Sequence, residues 1–100
     1  MDRDPVDARV HIRVRGRVQG VGFRAHVGYM ARQIGVTGWV RNVGWDVVEA
    51  VAEGDRAQVD RFVEMMKVGP PGSRVDESQV EFETARGEFR NFSIASSVGH

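Results

Sequence analysis

One stretch gathers the residue types that bind anions: Gly16-Arg17-Val18-Gln19-Gly20-Val21-Gly22-Phe23-Arg24. Glycine at positions 20 and 22 lets consecutive backbone N–H groups turn toward one point. A concave nest of this kind, at the positive end of a helix, binds an anion. Arg24 falls in the first turn of the helix expected to follow. Its guanidinium fork can take two oxygens of one phosphate, which the point charge of a lysine does less specifically. The chemistry on offer is a compact phosphate cradle. The same residues also suit a plain glycine-rich turn with a solvated arginine, and their types alone leave both open.

Other phosphate motifs do not fit. Gly20-Val21-Gly22-Phe23-Arg24-Ala25 satisfies the dinucleotide pattern, but the parallel βαβ pattern that should follow is missing. So is an acid near the end of the next strand. No Gly-Lys-Ser/Thr occurs, so there is no Walker A loop. The 100 residues contain no Cys, which excludes disulfides, thiolate metal sites and thiol nucleophiles. His11, His26 and His100 are spaced as no ligand cluster would be.

The zero net charge conceals an asymmetry. No acid lies between Ala8 and Trp45, yet Arg9, Arg13, Arg15, Arg17, Arg24, Arg32 and Arg41 do; from Asp46 onward eleven acids face six bases. A balanced chain with one basic segment suggests a local anion site and not a general polyanion binder. The bland alternative is that these arginines solvate one face of a sheet.

The elements that must position the loop are legible. Arg9–Arg15 alternates, with Val10, Ile12 and Val14 on one side and His11, Arg13 and Arg15 on the other, so a half-buried strand is expected. A helix over Gly22–Ile34 follows, with Phe23, Val27, Met30, Ala31 and Ile34 as its apolar stripe and Gly35 as its stop. Val36–Asn42 and Val47–Glu53 read as strands joined by a hairpin with a two-residue Gly44-Trp45 turn. Asp55 and Gln58 open a second helix with a capping box, and Val59, Phe62, Val63 and Met66 supply its buried stripe. Gly69-Pro70-Pro71-Gly72 ends it. A strand over Ser78–Thr84 is expected to bury Val80 and Phe82. A last short strand over Phe92–Ala95 should bury Phe92 and Ile94.

The order β-α-β-β-α-β, with an extra short strand at the end, predicts an α+β fold. It is the ferredoxin-like split βαβ sandwich, with two helices on one face of an antiparallel-type sheet and a wet opposite face. A single domain over residues 1–100 is expected, with 1–8 a flexible leader. The longest strongly apolar run is three residues, so no membrane span or secretory signal is expected, and the location reads as cytoplasmic.

The loop Gly16–Arg24, together with Gly38-Trp39-Val40-Arg41-Asn42, resembles the paired signature of the acylphosphatases. Glu49-Ala50-Val51-Ala52-Glu53-Gly54 resembles that family's third strand. The resemblance extends from about Val10 to Ile94. It implies a small ferredoxin-like hydrolase that cleaves acyl phosphates to a carboxylate and inorganic phosphate. It further implies that Arg24 binds the phosphoryl group with the backbone amides of Gln19, Gly20, Val21, Gly22 and Phe23, and that Asn42 positions the attacking water. Taken alone, Asn42 would read as a hairpin-edge residue chosen for turn geometry. The family uses no metal and no other cofactor. The expected partners are a small acyl phosphate and inorganic phosphate or sulfate as product or competitor, with a monomeric chain and neither nucleic acid nor membrane. The hairpin Val43-Gly44-Trp45-Asp46 departs from the family's Asp-Gly type of turn, which leaves Trp45 either to shape the acyl side of the pocket or to cover its rim.

Two other classes compete. Acylphosphatase-like domains also open large hydrogenase-maturation proteins, which makes a non-catalytic phosphate or carbamoyl-phosphate binding module the alternative. The end of this chain after one domain favours the free-standing hydrolase. An RNA-binding sheet on the same fold would stack bases on paired aromatics of its central strands, and the first strand shows none.

Overall fold

The computed structural model describes residues 6–99. The strands are β1 (Ala8–Arg17), β2 (Thr37–Val43), β3 (Val47–Gly54), β4 (Arg74–Glu83) and β5 (Phe92–Ile94); the helices are α1 (Phe23–Ile34) and α2 (Arg56–Val68). They form the expected α+β sandwich, with a five-stranded sheet in the order β4-β1-β3-β2-β5. All neighbours are antiparallel except β5, which runs parallel to β2 and makes the sheet mixed.

This topology places the loop of interest. Both β1 and β2 pair antiparallel to β3, so they point the same way. The segment leaving β1 and the last residues of β2 therefore lie on one side of the sheet. Val47, the first residue of β3, is opposite Arg15 of β1 and Val43 of β2.

The helices bury the stripes that their spacing predicts. Phe23, Val27 and Ala31 of α1 and Val59, Phe62, Val63 and Met66 of α2 meet Val10, Ile12, Val14, Val40 and Val48 of the sheet. Met30 and Ile34 are half-buried at the stripe's edge. Gly35, at φ 98°, ends α1 with its amide donating to the Ala31 carbonyl. At α2 the capping box forms in both directions: Asp55 accepts from the Gln58 amide at 2.8 Å, and the Gln58 side chain accepts from the Asp55 amide at 2.9 Å.

Several expectations are corrected. The expected leader falls mostly on residues 1–5, outside the described residues, but its last member, Ala8, is buried and pairs with Gly54. The hairpin turn holds Gly44, Trp45 and Asp46, because Val43 and Val47 close the ladder. Strand β4 starts at Arg74, earlier than expected. Its Phe82 is 45% exposed and Val80 only half-buried, since β4 is an edge strand that α2 covers incompletely. The Phe82 ring is instead roofed by the Arg56 guanidinium, 4.0 Å from its centroid. Ile94, on the other edge, is 46% exposed.

The face away from the helices is not uniformly wet. All of β3 is buried, on both faces. Two of its carboxylates lie within ion-pair networks. Glu49, 3% exposed, has His11 Nε2 at 2.6 Å, Arg41 Nε at 2.8 Å and Arg13 at 3.1 Å. Glu53, 1% exposed, accepts from Arg9 at 2.9 Å and from the backbone amides of Arg86 and Gly87 at 2.8 and 3.0 Å. His11 is therefore a half-buried network member and not a bare surface residue. Most of the basic segment is spent here: Arg9, Arg13, Arg15 and Arg41 all pair with carboxylates. These four belong to the sheet face, as the bland reading has it, but they neutralise carboxylates there instead of simply solvating it.

Burial works to raise both carboxyl pKa values. At Glu49 the hydrogen bonds from His11 and Arg41 and the charges of Arg41 and Arg13 outweigh it. At Glu53 the Arg86 amide and Arg9 do, so both groups titrate below the ordinary value of 4.5. A depressed folded-state pKa adds stability above the unfolded value, and that contribution is lost as pH falls through the folded one. The thermal midpoint should hold from neutrality down to about pH 5 and fall below it, as for any paired native carboxylate. A midpoint flat into strong acid would contradict this. Glu53→Ala leaves Arg9 only its partly exposed partners Glu83 and Glu88 and strips the Arg86 and Gly87 amides of their acceptor, so it should cost about 1–3 kcal/mol in urea unfolding at pH 7.

Candidate active site

The segment after β1 is pinned before it is shaped. Val18 and Phe23 are buried in the core, 0% and 2% exposed, and fix the loop's two ends. Between them Gly20 and Gly22 both adopt φ 76°. An L side chain is strained there, although a Cβ at either position would meet no protein atom within 4 Å. The backbone requires the glycines, and the space before them is open to a ligand.

Helix α1 starts at this loop with no side-chain cap and no acid in its first turn. Its first internal bond runs from the His26 amide to the Gly22 carbonyl, at 3.0 Å. The preceding amides therefore have no partner within the helix. The same chain caps α2 fully, so the bare end is local to this loop.

These donors open onto a cleft of about 300 Å³ lined by Val18, Gln19, Gly20, Gly22, Phe23, Arg24, Ala25, Asn42 and Ile94. Arg24 and Asn42, remote in sequence, thus face one space. Gln19, Gly20, Gly22 and Phe23 join them, whereas Val21 lines no part of it and packs against the core. Among the described residues no carboxylate pairs with Arg24, unlike the sheet-face arginines. Asn42 sits near the end of β2, and its carbonyl accepts the Val98 amide at 3.0 Å. An uncompensated guanidinium, a bare helix end and a neutral carboxamide around one small cleft suit a compact anion and a water beside it.

Some features escape sequence reasoning. Ile94 forms part of the cleft wall, where alternation had suggested core. Trp45 is 81% exposed and does not line the cleft, so it takes no part in shaping it. His11, Glu81 and Glu83 come within 4.8 Å of one another, a grouping that their sequence spacing hides. Glu83 is already held by Arg9, and none of the three lines the cleft.

The Acylphosphatase family model matches residues 10–94. The chain belongs to the acylphosphatase family. It is 46% identical over 93 residues to an acylphosphatase of Pyrobaculum islandicum, spanning 92% of this chain and 98% of that one. The crystal structure of acylphosphatase from Bacillus subtilis superposes with a TM-score of 0.84 at 39% identity, covering 88% of this chain and 98% of that one. Full-length HypF, in a phosphate- and nucleotide-bound form, matches with a TM-score of 0.86 at 31% identity. It covers 99% of this chain but only 13% of that one. This family member is a hydrolase. No helix among its described residues is long and apolar enough to cross a membrane.

Proposed function

We propose that this hydrolase cleaves the carboxyl–phosphate anhydride bond of small acyl phosphates in the cleft between the β1–α1 loop and the end of β2. The observation that carries this is the shared cleft, which Arg24, the bare start of α1 and Asn42 line together.

An acyl phosphate carries a good leaving group, because the departing carboxylate is stable without a proton. The enzyme has little acid catalysis to perform. It has to hold the phosphoryl charge and place a water in line with the breaking bond. The guanidinium of Arg24 and the amides around Gly20 and Gly22 hold the phosphoryl oxygens as a preorganised electrostatic frame. The Asn42 carboxamide orients the water and is too weak a base to deprotonate it. The water oxygen bonds to phosphorus, the bond from phosphorus to the carboxylate oxygen breaks, and the water's proton passes to a phosphoryl oxygen of the substrate. The products are a carboxylate and inorganic phosphate, and the latter competes for the same cradle.

Hydrolysis of benzoyl phosphate in ¹⁸O-water tests the point of attack. Label should enter inorganic phosphate; label in benzoate would place the attack at the carbonyl carbon and end this mechanism. Because the leaving group needs no Lewis acid, a chelator should leave the rate unchanged. A large loss reversed by added metal would contradict that. The binding-only alternative uses the same cleft but releases no phosphate from benzoyl phosphate.

A further inference from the structure

The Gln19 side chain points away from the anion nest and into the β2–β3 hairpin. Its Nε2 donates to three backbone carbonyls: Val47 at 2.9 Å, and Val43 and Gly44 at 3.3 Å each. A carboxamide nitrogen has two N–H groups, so one proton is shared between acceptors. The acceptors are the last residue of β2, the first turn residue and the first residue of β3. Asn42 is the residue immediately before Val43, and its own lining of the cleft is shared with Gln19.

We infer that Gln19 is a positioning residue: its side chain locks the hairpin to the phosphate loop and so sets the distance from Asn42 to the bound phosphoryl group. This rests on the roles proposed above for Arg24 and Asn42. The ladder between β1 and β3 registers the base of the loop to the hairpin, but the part beyond Arg17 could be well formed while misplaced relative to Asn42. Other contacts are seen at the hairpin. The Val98 amide donates to the Asn42 carbonyl at 3.0 Å, and the Gly44 amide to the Val98 carbonyl at 2.9 Å. Those contacts tie the hairpin to the C-terminal segment. The Gly16 amide donates to the Asp46 carbonyl at 3.0 Å and Arg15 pairs with Asp46 at 3.2 Å, which hold the far side of the turn to the end of β1. It is the Gln19 side chain that reaches from beside Gly20 to Val43, the residue next to Asn42.

The consequence is a division between turnover and phosphate binding. The nest is built from main-chain groups and held by Val18 and Phe23, so removing the Gln19 side chain leaves it standing. The water-orienting arm loses its fixed reference. A misplacement of about 1 Å costs on the order of a hundredfold in rate, so Gln19→Ala should lower kcat by roughly ten- to a hundredfold.

A kinetic cycle with benzoyl phosphate tests this, using wild type, Gln19→Ala, Asn42→Ala and the double variant, with inorganic phosphate as competitor. The expected result is a fall in kcat for Gln19→Ala with phosphate inhibition little changed. In the Asn42→Ala background, the same change should cost almost nothing further, because the group being positioned is gone. Gln19→Glu keeps the side chain's bulk and, when ionised, cannot donate to the carbonyls. It should reproduce the loss near neutral pH and recover in part as acid restores a donor, which a purely space-filling role would not do. It also serves if the alanine variant folds poorly. An undiminished effect in the Asn42→Ala background, an unchanged kcat, or an equal loss of phosphate affinity would overturn the inference. An Asn42→Ala enzyme of normal kcat would instead overturn the role given to Asn42.

Discussion

Arg24→Ala should lower kcat for benzoyl phosphate by about a thousandfold or more and weaken competition by inorganic phosphate. The magnitude follows from the state of the side chain. Removing one preorganised donor from a developing oxyanion costs on the order of 10²- to 10³-fold. A cationic fork on a transferring phosphoryl group is worth about 10³- to 10⁵-fold. In the proposed mechanism Arg24 combines both functions, in a cleft that no carboxylate lines among the described residues. Arg24→Lys separates charge from geometry: a point charge restores part of the phosphate affinity but little of the turnover, since it cannot grip two oxygens at once. Full affinity and turnover in the alanine variant would remove Arg24 from the site.

Asn42→Ala should have the opposite balance. In the proposed mechanism its neutral carboxamide orients the water and leaves the phosphoryl group to Arg24. Turnover should drop by about a hundredfold, the scale of a misplaced nucleophile, while phosphate inhibition changes by only about two- to threefold. A variant that lost affinity but kept kcat would assign Asn42 to binding. The two substitutions together divide the cleft into a side that holds charge and a side that directs water.

Much of this was legible in the chain. The strand of alternating Val10, Ile12 and Val14 and the stripe of Phe23, Val27 and Ala31 are local patterns, and both are buried as read. The Asp55–Gln58 capping box is local too, and forms. The loop was legible as a candidate, because glycines at 20 and 22 and an arginine at a helix start carry their own physical meaning, although those types alone also suit a plain turn. What escaped is set by neighbours distant in sequence. Alternation shows which side of a strand Phe82 and Ile94 occupy, but not that the helices fail to cover the sheet's edges there. Glu49 and Glu53 look like ordinary surface acids until β1 and β2 bring Arg9, Arg13 and Arg41 against them. The Gln19 side chain finds its acceptors on a hairpin more than twenty residues away, at Val43, Gly44 and Val47. No property of the loop's own sequence announces that tie.

The central claim is that the β1–α1 loop is an oxyanion cradle. Titrating ¹⁵N-labelled protein with inorganic phosphate tests it most directly, residue by residue. Saturable shifts are expected, largest at the amides of Gln19 to Ala25 and at the Arg24 Nε–H, all abolished in Arg24→Ala. Saturable shifts centred on the arginine-rich sheet face instead, with the loop amides unmoved, would contradict it.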